Sequence, residues 1–161
     1  MELMPDLFEL GYRPCVGLMV INEDRQIFTG QRLGYTSTAW QMPQGGIENG
    51  ENALVAAYRE LQEETSIGQL KVELLATSKS WLSYDLPLDL VPKLWNGLYR
   101  GQTQKWFLMR FVGHDTDINL KTEIPEFSSW RWSSRQQLLR YIVPFKKKLY
   151  ETVIEEFKLF L

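Results

Sequence analysis

Between residues 48 and 64 the chain carries five carboxylates, Glu48, Glu51, Glu60, Glu63 and Glu64, against a single cation, Arg59. The 161-residue protein has a formal charge of only −2, so this segment is a local concentration of negative charge that needs a cause. Ala53, Leu54, Ala57, Tyr58 and Leu61 recur at helical spacing and predict a helix over 52–65. At about 100° per residue, Glu60, Glu63 and Glu64 share an arc of about 100°, and Glu64 falls about 20° from Ala53, inside the arc that should face the core. A lone carboxylate is costly to bury, and like charges one turn apart repel. A bound divalent cation relieves both penalties, and an oxygen-only donor set favours Mg²⁺, with Mn²⁺ as a substitute. A merely solvated acidic face leaves the position of Glu64 unexplained.

The elements that must position these carboxylates are legible around them. Immediately before the helix lies Trp40-Gln41-Met42-Pro43-Gln44-Gly45-Gly46-Ile47, whose paired glycines allow a tight backbone turn close to a ligand. Residues 16–21 and 27–32 are β-prone runs around a polar turn and read as a hairpin, with further strands at 70–79, 105–112 and 129–132. Residues 86–104 hold Pro87, Pro92, Gly97 and Gly101 and read as a long surface loop. A second helix is predicted over 144–160, with Leu149, Val153, Phe157 and Phe160 on one face and Pro144 in its first turn. Strands mixed with two or three helices make an α/β or α+β sandwich, expected as one domain over 1–161 without linkers or repeats.

Composition narrows the chemistry. Cys15 is the only cysteine, which excludes an intramolecular disulfide and a thiolate zinc site and fits a reducing compartment. His114 is the only histidine and sits in a Gly-His-Asp turn, so multi-histidine metal sites are excluded. No run approaches ~18 apolar residues, and the opening MELMPDLFEL has no basic region. The expectation is a cytoplasmic protein that engages no membrane. Residues 131–150 carry Arg131, Arg135, Arg140, Lys146, Lys147 and Lys148 with no acid, a basic patch suited to an anionic substrate. Trp81, Trp95, Trp106, Trp130 and Trp132 read as packing residues.

Gly45, Glu51 and the run Arg59-Glu60-Leu61-Gln62-Glu63-Glu64 have the spacing G, five residues, E, seven residues, R-E-U-x-E-E, with U aliphatic. This resembles the Nudix box. One departure follows, since Ser66 stands where the box ends in glycine, with Gly68 just beyond; the helix is therefore expected to run on toward Gly68. The wider chain, including WQMPQGG, SKSWLSYDLP, GQTQKWFL, PEFSSWRW and VPFKKKLYETVIEEF, resembles the RNA pyrophosphohydrolase branch of Nudix hydrolases, related to the asymmetrical dinucleoside tetraphosphate hydrolases.

The resemblance implies an α/β/α sandwich with a central mixed sheet and metal-assisted hydrolysis of a phosphoric anhydride. The substrate it implies is 5′-triphosphorylated RNA, cut to a 5′-monophosphate and pyrophosphate. The alternatives are a dinucleoside polyphosphate, with diadenosine tetraphosphate giving ATP and AMP, or a catalytically silent nucleotide-binding domain on the same fold. An acidic helix cannot bind a polyphosphate directly and must act through bridging cations. By the same resemblance Glu60, Glu63, Glu64 and Glu126 would be the metal ligands, with Glu60, Glu64, Glu126 and Arg59 as the catalytic set. Arg59 suits the orientation of carboxylates by charge-assisted hydrogen bonds. Gly45 and Gly46 would lie close to substrate, Arg32 and Phe145 would grip the terminal base, and Arg13 and Lys146 would hold phosphates or RNA backbone. Tyr84 and Lys105 match positions near the polyphosphate or the second nucleotide.

Overall fold

The computed structural model describes residues 10–34 and 38–161; the acidic opening segment, 1–9, lies outside them. The strands are β1 (Gly11–Ile21), β2 (Ile27–Arg32), β3 (Trp40–Gln41), β4 (Gln44–Gly46), β5 (Val72–Thr77), β6 (Leu82–Asp85), β7 (Tyr99–Phe111) and β8 (Phe127–Ser133). The helices are α1 (Ala53–Thr65), α2 (Arg135–Tyr141) and α3 (Lys147–Glu156). Among the described residues, all eight strands join one mixed sheet. Its spine is the parallel pair β1 and β7, which starts with Gly11 opposite Tyr99, shifts by one residue at a bulge, and then runs in register from Tyr12 opposite Gly101 to Ile21 opposite Arg110. β5 and β6 lie antiparallel on β7, β4 on β1, and β3 and β8 on β2.

Side-chain alternation divides the sheet into two faces. Val16, Leu18 and Val20 of β1 and Phe107 and Met109 of β7 pack with Ala56, Ala57 and Leu61 of α1. Met19, Ile21, Trp106 and Leu108 pack on the opposite face with Leu138 of α2 and Leu149, Tyr150 and Val153 of α3. The result is an α+β sandwich in three layers, α/β/α, as the sequence predicts. Gly17 is where a β1 residue must be small, because a Cβ there would strike the Trp106 indole.

Several expectations are corrected. The 16–21 and 27–32 runs share a turn but pair only at Ile21 and Ile27; β1 then follows β7 and β4, while β2 follows β8. The surface loop is shorter than 86–104, because β7 begins at Tyr99 and contains Gly101. That glycine serves close strand approach, since a Cβ would collide with the Tyr84 backbone of β6. The 144–160 helix is three pieces: a 3₁₀ turn over Pro144–Lys146, α3, and a second turn over Lys158–Phe160. Finally, α1 stops at Thr65 and does not run to Gly68. Ser66 itself adopts the left-handed conformation, at φ 67°, and its N–H donates to the Gln62 carbonyl. Its hydroxyl donates to the Asn119 carbonyl at 2.7 Å, while the Asn119 N–H returns to Thr65. These bonds hold serine in a conformation that glycine adopts freely.

Candidate active site

The helix α1 is capped by Asn52, whose side chain accepts the Leu54 N–H at 2.8 Å, and its middle turn presents Arg59 to the glycine strand β4. Arg59 is the hub. It clasps Glu51 through two bonds of 2.8 Å, donates to Glu60 at 2.9 Å and Glu63 at 3.2 Å, and reaches the Gly46 carbonyl at 2.8 Å. The guanidinium fork is thus fully used in orienting three carboxylates and the β4 backbone. The clasp from Arg59, with a smaller contribution from the Glu48 N–H, holds the Glu51 carboxyl down to about 2.

Glu64 faces inward as the helical arc predicts and is only 6% exposed. One of its oxygens, Oε2, is buried with no hydrogen-bond partner among the described residues. Burial, and then the charges of Glu60 and Glu126, push its carboxyl well above the usual range, against the Gln44 N–H and Arg32. Burial also raises Glu60, opposed by the hydrogen bond from Arg59. Gly45 makes room for this group: a Cβ there would fall on the Glu60 carboxylate. Glu126 precedes β8, its carbonyl accepts the Leu33 N–H, and its carboxylate stands 4.0 Å from Arg32 Nη2.

No three of these carboxylates converge into a finished metal cage among the described residues. They form an open wall. A hard divalent cation nevertheless fits it, because the donors are all carboxylate oxygens and the buried Oε2 of Glu64 lacks any other partner among the described residues.

Three cavities run together here. The first, about 680 Å³, is lined by Glu60, Glu63, Glu64 and Glu126 together with Arg59 and Glu123. A second, about 270 Å³, shares Glu60, Glu64 and Glu126 with it and adds Arg13, Arg32, Gly45 and Gly46. A third, about 250 Å³, shares Arg32, Gln41, Gln44 and Trp95 with the second and is walled by Tyr84, Phe145 and Lys146. An acidic chamber therefore opens through a pair of arginines into an aromatic pocket. The Phe145 and Tyr84 rings lie 5.9 Å apart, and Lys146 Nζ sits 5.6 Å from the centre of the Tyr84 ring.

The structure thus gathers every site residue named from the sequence except Lys105. That residue lies on the α1 face of β7, one position out of phase with Gln102 and Gln104, and its ammonium reaches the Lys79 carbonyl at 3.4 Å. The basic patch over 131–150 also dissolves. Of its six cations only Lys146 lines these cavities, and it is a buried residue, 4% exposed, with burial and then Arg32 pulling its ammonium down to about 8. Arg131 instead packs its guanidinium 4.1 Å from the centre of Trp40 and 4.9 Å from that of Tyr141. Gln41, Gln44 and Gln102 line the cavities without having been marked by the sequence, and Trp95, read there as a packing residue, lines two of them. The glutamines form an amide chain: Gln104 donates to Gln44 at 3.0 Å and Gln102 at 2.7 Å, while the Trp106 indole donates to Gln104. Gln41 and Gln44 carry no charge or periodic signal, whereas the alternation of Gln102 and Gln104 in GQTQKW is a signal of polar side chains on one strand face.

Residues 11–153 match the NUDIX domain model. The chain is 54% identical over 153 residues to the RNA pyrophosphohydrolase of Roseobacter denitrificans, covering 95% of this chain and 96% of that one. It is 55% identical to the RNA pyrophosphohydrolase of Rickettsia typhi, covering 93% and 92%. Among solved structures it resembles the E. coli dihydroneopterin triphosphate pyrophosphohydrolase (TM-score 0.69, 18% identity, 90% and 98% coverage). It also resembles a C. elegans Ap4A hydrolase binary complex (TM-score 0.63, 18% identity, 88% and 96% coverage). Box spacing, sheet topology and these likenesses agree, and the chain belongs to the Nudix family.

Proposed function

We propose that this protein is a Mg²⁺-dependent RNA pyrophosphohydrolase that removes pyrophosphate from the 5′-triphosphate end of RNA and leaves a 5′-monophosphate. The observation that carries the reading is the order of the three cavities: carboxylates, then Arg13 and Arg32, then Phe145 and Tyr84. That order suits a ligand with phosphates at one end and a base at the other. Two relatives of more than 50% identity, matched over more than nine-tenths of both chains, bear the same activity in their names.

Glu60, Glu63, Glu64 and Glu126 would hold the cation. When bound, it supplies Lewis-acid neutralisation of phosphate charge and readies water for attack, a role Mn²⁺ can share with Mg²⁺. Arg59 keeps Glu60 and Glu63 turned toward the chamber, and Glu51 fixes Arg59 in turn. Glu126 serves as a ligand or accepts a proton from the attacking water. Arg13 takes phosphate oxygens through its planar fork, and Arg32, expected from the sequence at the base, lines both the base pocket and the phosphate-side cavity and meets the phosphates as well. Gly45 and Gly46 let the β4 backbone lie against the chain of phosphates. Phe145 walls the base together with Tyr84, which the sequence put near the polyphosphate or second nucleotide, and Lys146, expected at the phosphates, lies buried against the Tyr84 ring.

The test is a product assay on 5′-triphosphate RNA and on diadenosine tetraphosphate, with Mg²⁺ and in chelator. Release of pyrophosphate from RNA, lost in chelator, is the expected result. Turnover of diadenosine tetraphosphate alone would overturn the RNA reading.

A further inference from the structure

The segment between β6 and β7 ends in a backbone that few sequences tolerate. Trp95, Asn96 and Gly97 take φ values of 48°, 58° and 69°, three consecutive left-handed residues of which only one is glycine. Side chains with a Cβ resist that region, so such a run persists where the surrounding structure holds it. Its effect is to turn Trp95 back into the site. The ring lines both the arginine-lined cavity and the aromatic pocket, and the Arg13 guanidinium carbon lies 5.3 Å from its centre. Tyr99 packs edge-on against the same indole, with centroids 6.4 Å apart.

The remaining contacts of Arg13 explain why it needs this wall. Its Nη1 donates to Cys15 Sγ at 3.3 Å, a weak acceptor that leaves most of the fork unused. The guanidinium also lies against Gly46, where a Cβ would collide with it. No carboxylate forms an ion pair with Arg13 among the described residues. A long, flexible cation next to an acidic chamber would otherwise be free to swing toward Glu60. An aromatic face attracts the cation without consuming its donors, so the fork stays available to an anion.

We infer that Trp95 is a positioning residue, holding Arg13 by a cation–π contact in the orientation that receives the substrate's phosphate chain. The inference rests on the polyphosphate-hydrolysing reading of the site. The left-handed turn at Trp95–Gly97 is the device that delivers the ring. Because Trp95 acts through Arg13, most of the cost of removing it should disappear once Arg13 is gone.

The experiment is a double-mutant cycle of Trp95→Ala and Arg13→Ala, with KM and kcat measured on 5′-triphosphate RNA and on diadenosine tetraphosphate in Mg²⁺. Trp95→Ala should raise KM about tenfold with kcat within twofold of wild type. In the Arg13→Ala background the same change should add less than twofold. Trp95→Phe should restore most of the loss, whereas Trp95→Leu, which fills space without a π face, should not. Gly97→Ala leaves both side chains intact and strains only the turn, so it should reproduce the KM effect and covers the case in which Trp95→Ala fails to fold. Equal losses for Trp95→Ala with and without Arg13, or rescue by Leu as complete as by Phe, would overturn the inference. A wild-type protein that turns over only the dinucleotide would sink the RNA reading, yet the coupling would still be read on that substrate.

Discussion

The buried carboxylate of Glu64 is out of balance, since one oxygen lacks a partner among the described residues and two further glutamates repel it. Glu64→Gln should therefore leave thermal stability in chelator unchanged or higher, while turnover in Mg²⁺ falls about 10²-fold or more. Calorimetric melting and steady-state rates check both halves, and a destabilised variant of normal rate would contradict both. Lys146 gives a second test. Its folded value of about 8 lies below the ordinary 10.5, so between those pH values the unfolded chain holds a proton that the folded one has lost. Stability should rise with pH across that window, by on the order of 3 kcal/mol, with the burial penalty fully present below pH 8. Urea titrations of wild type and Lys146→Met from pH 7 to 10.5 should differ in this slope, the variant lacking the rise. The two residues also differ in how far the sequence reveals them. Glu64 is legible because a charge on the apolar side of a helix is a local contradiction. Lys146 sits in a run of three lysines, and its burial depends on a 3₁₀ turn that drops it under Tyr84, which no charge count foretells.

At the scale of elements, α1 is legible almost to the residue because its apolar spacing, its Asn52 cap and its charges all lie within one short segment. The strands β3, β4 and β6, of two to four residues, are too short to show a period. They exist because β1, β2 and β7 offer them edges. Likewise β7 reads as loop at its start, since Gly101 looks like turn punctuation when it is a point of close strand contact. The end of α1 supplies the prediction here. Ser66 is held left-handed by its bond to Asn119, so a β-branched residue would meet both the strain and the lost bond. Ser66→Val should cost about 1–3 kcal/mol in urea unfolding, and Ser66→Gly, which trades the bond for freedom from strain, less than 1 kcal/mol. Because the box carboxylates lie upstream of the cap, KM should stay within twofold in both.

For the molecule as a whole, the separation of charge is functional and is not the one that the chain's charge runs announce. Negative charge collects on α1, while the cations that answer it come from β1 and β2 as Arg13 and Arg32, and Lys147 and Lys148 lie exposed elsewhere. Binding of 5′-triphosphate RNA to the Glu64→Gln protein should accordingly show a shallow salt dependence. Arg13→Ala and Arg32→Ala should each flatten the log–log slope by about 0.7, the value for one single-strand phosphate contact, and Lys147→Ala with Lys148→Ala should leave it unchanged. A steep slope carried by the lysine pair would place the RNA elsewhere. The parallel pairing of β1 with β7 has a consequence of another kind. Strand residues that touch along the spine of the sheet are separated by roughly 90 positions in the chain, a distance that makes folding slow for its size. During synthesis β1 emerges early with Val16, Leu18, Met19, Val20 and Ile21 unshielded and waits for β7 to leave the ribosome. Until then neither Arg13 nor the Nudix carboxylates have a frame, so a nascent chain halted before Tyr99 is an aggregation-prone fragment without an active site.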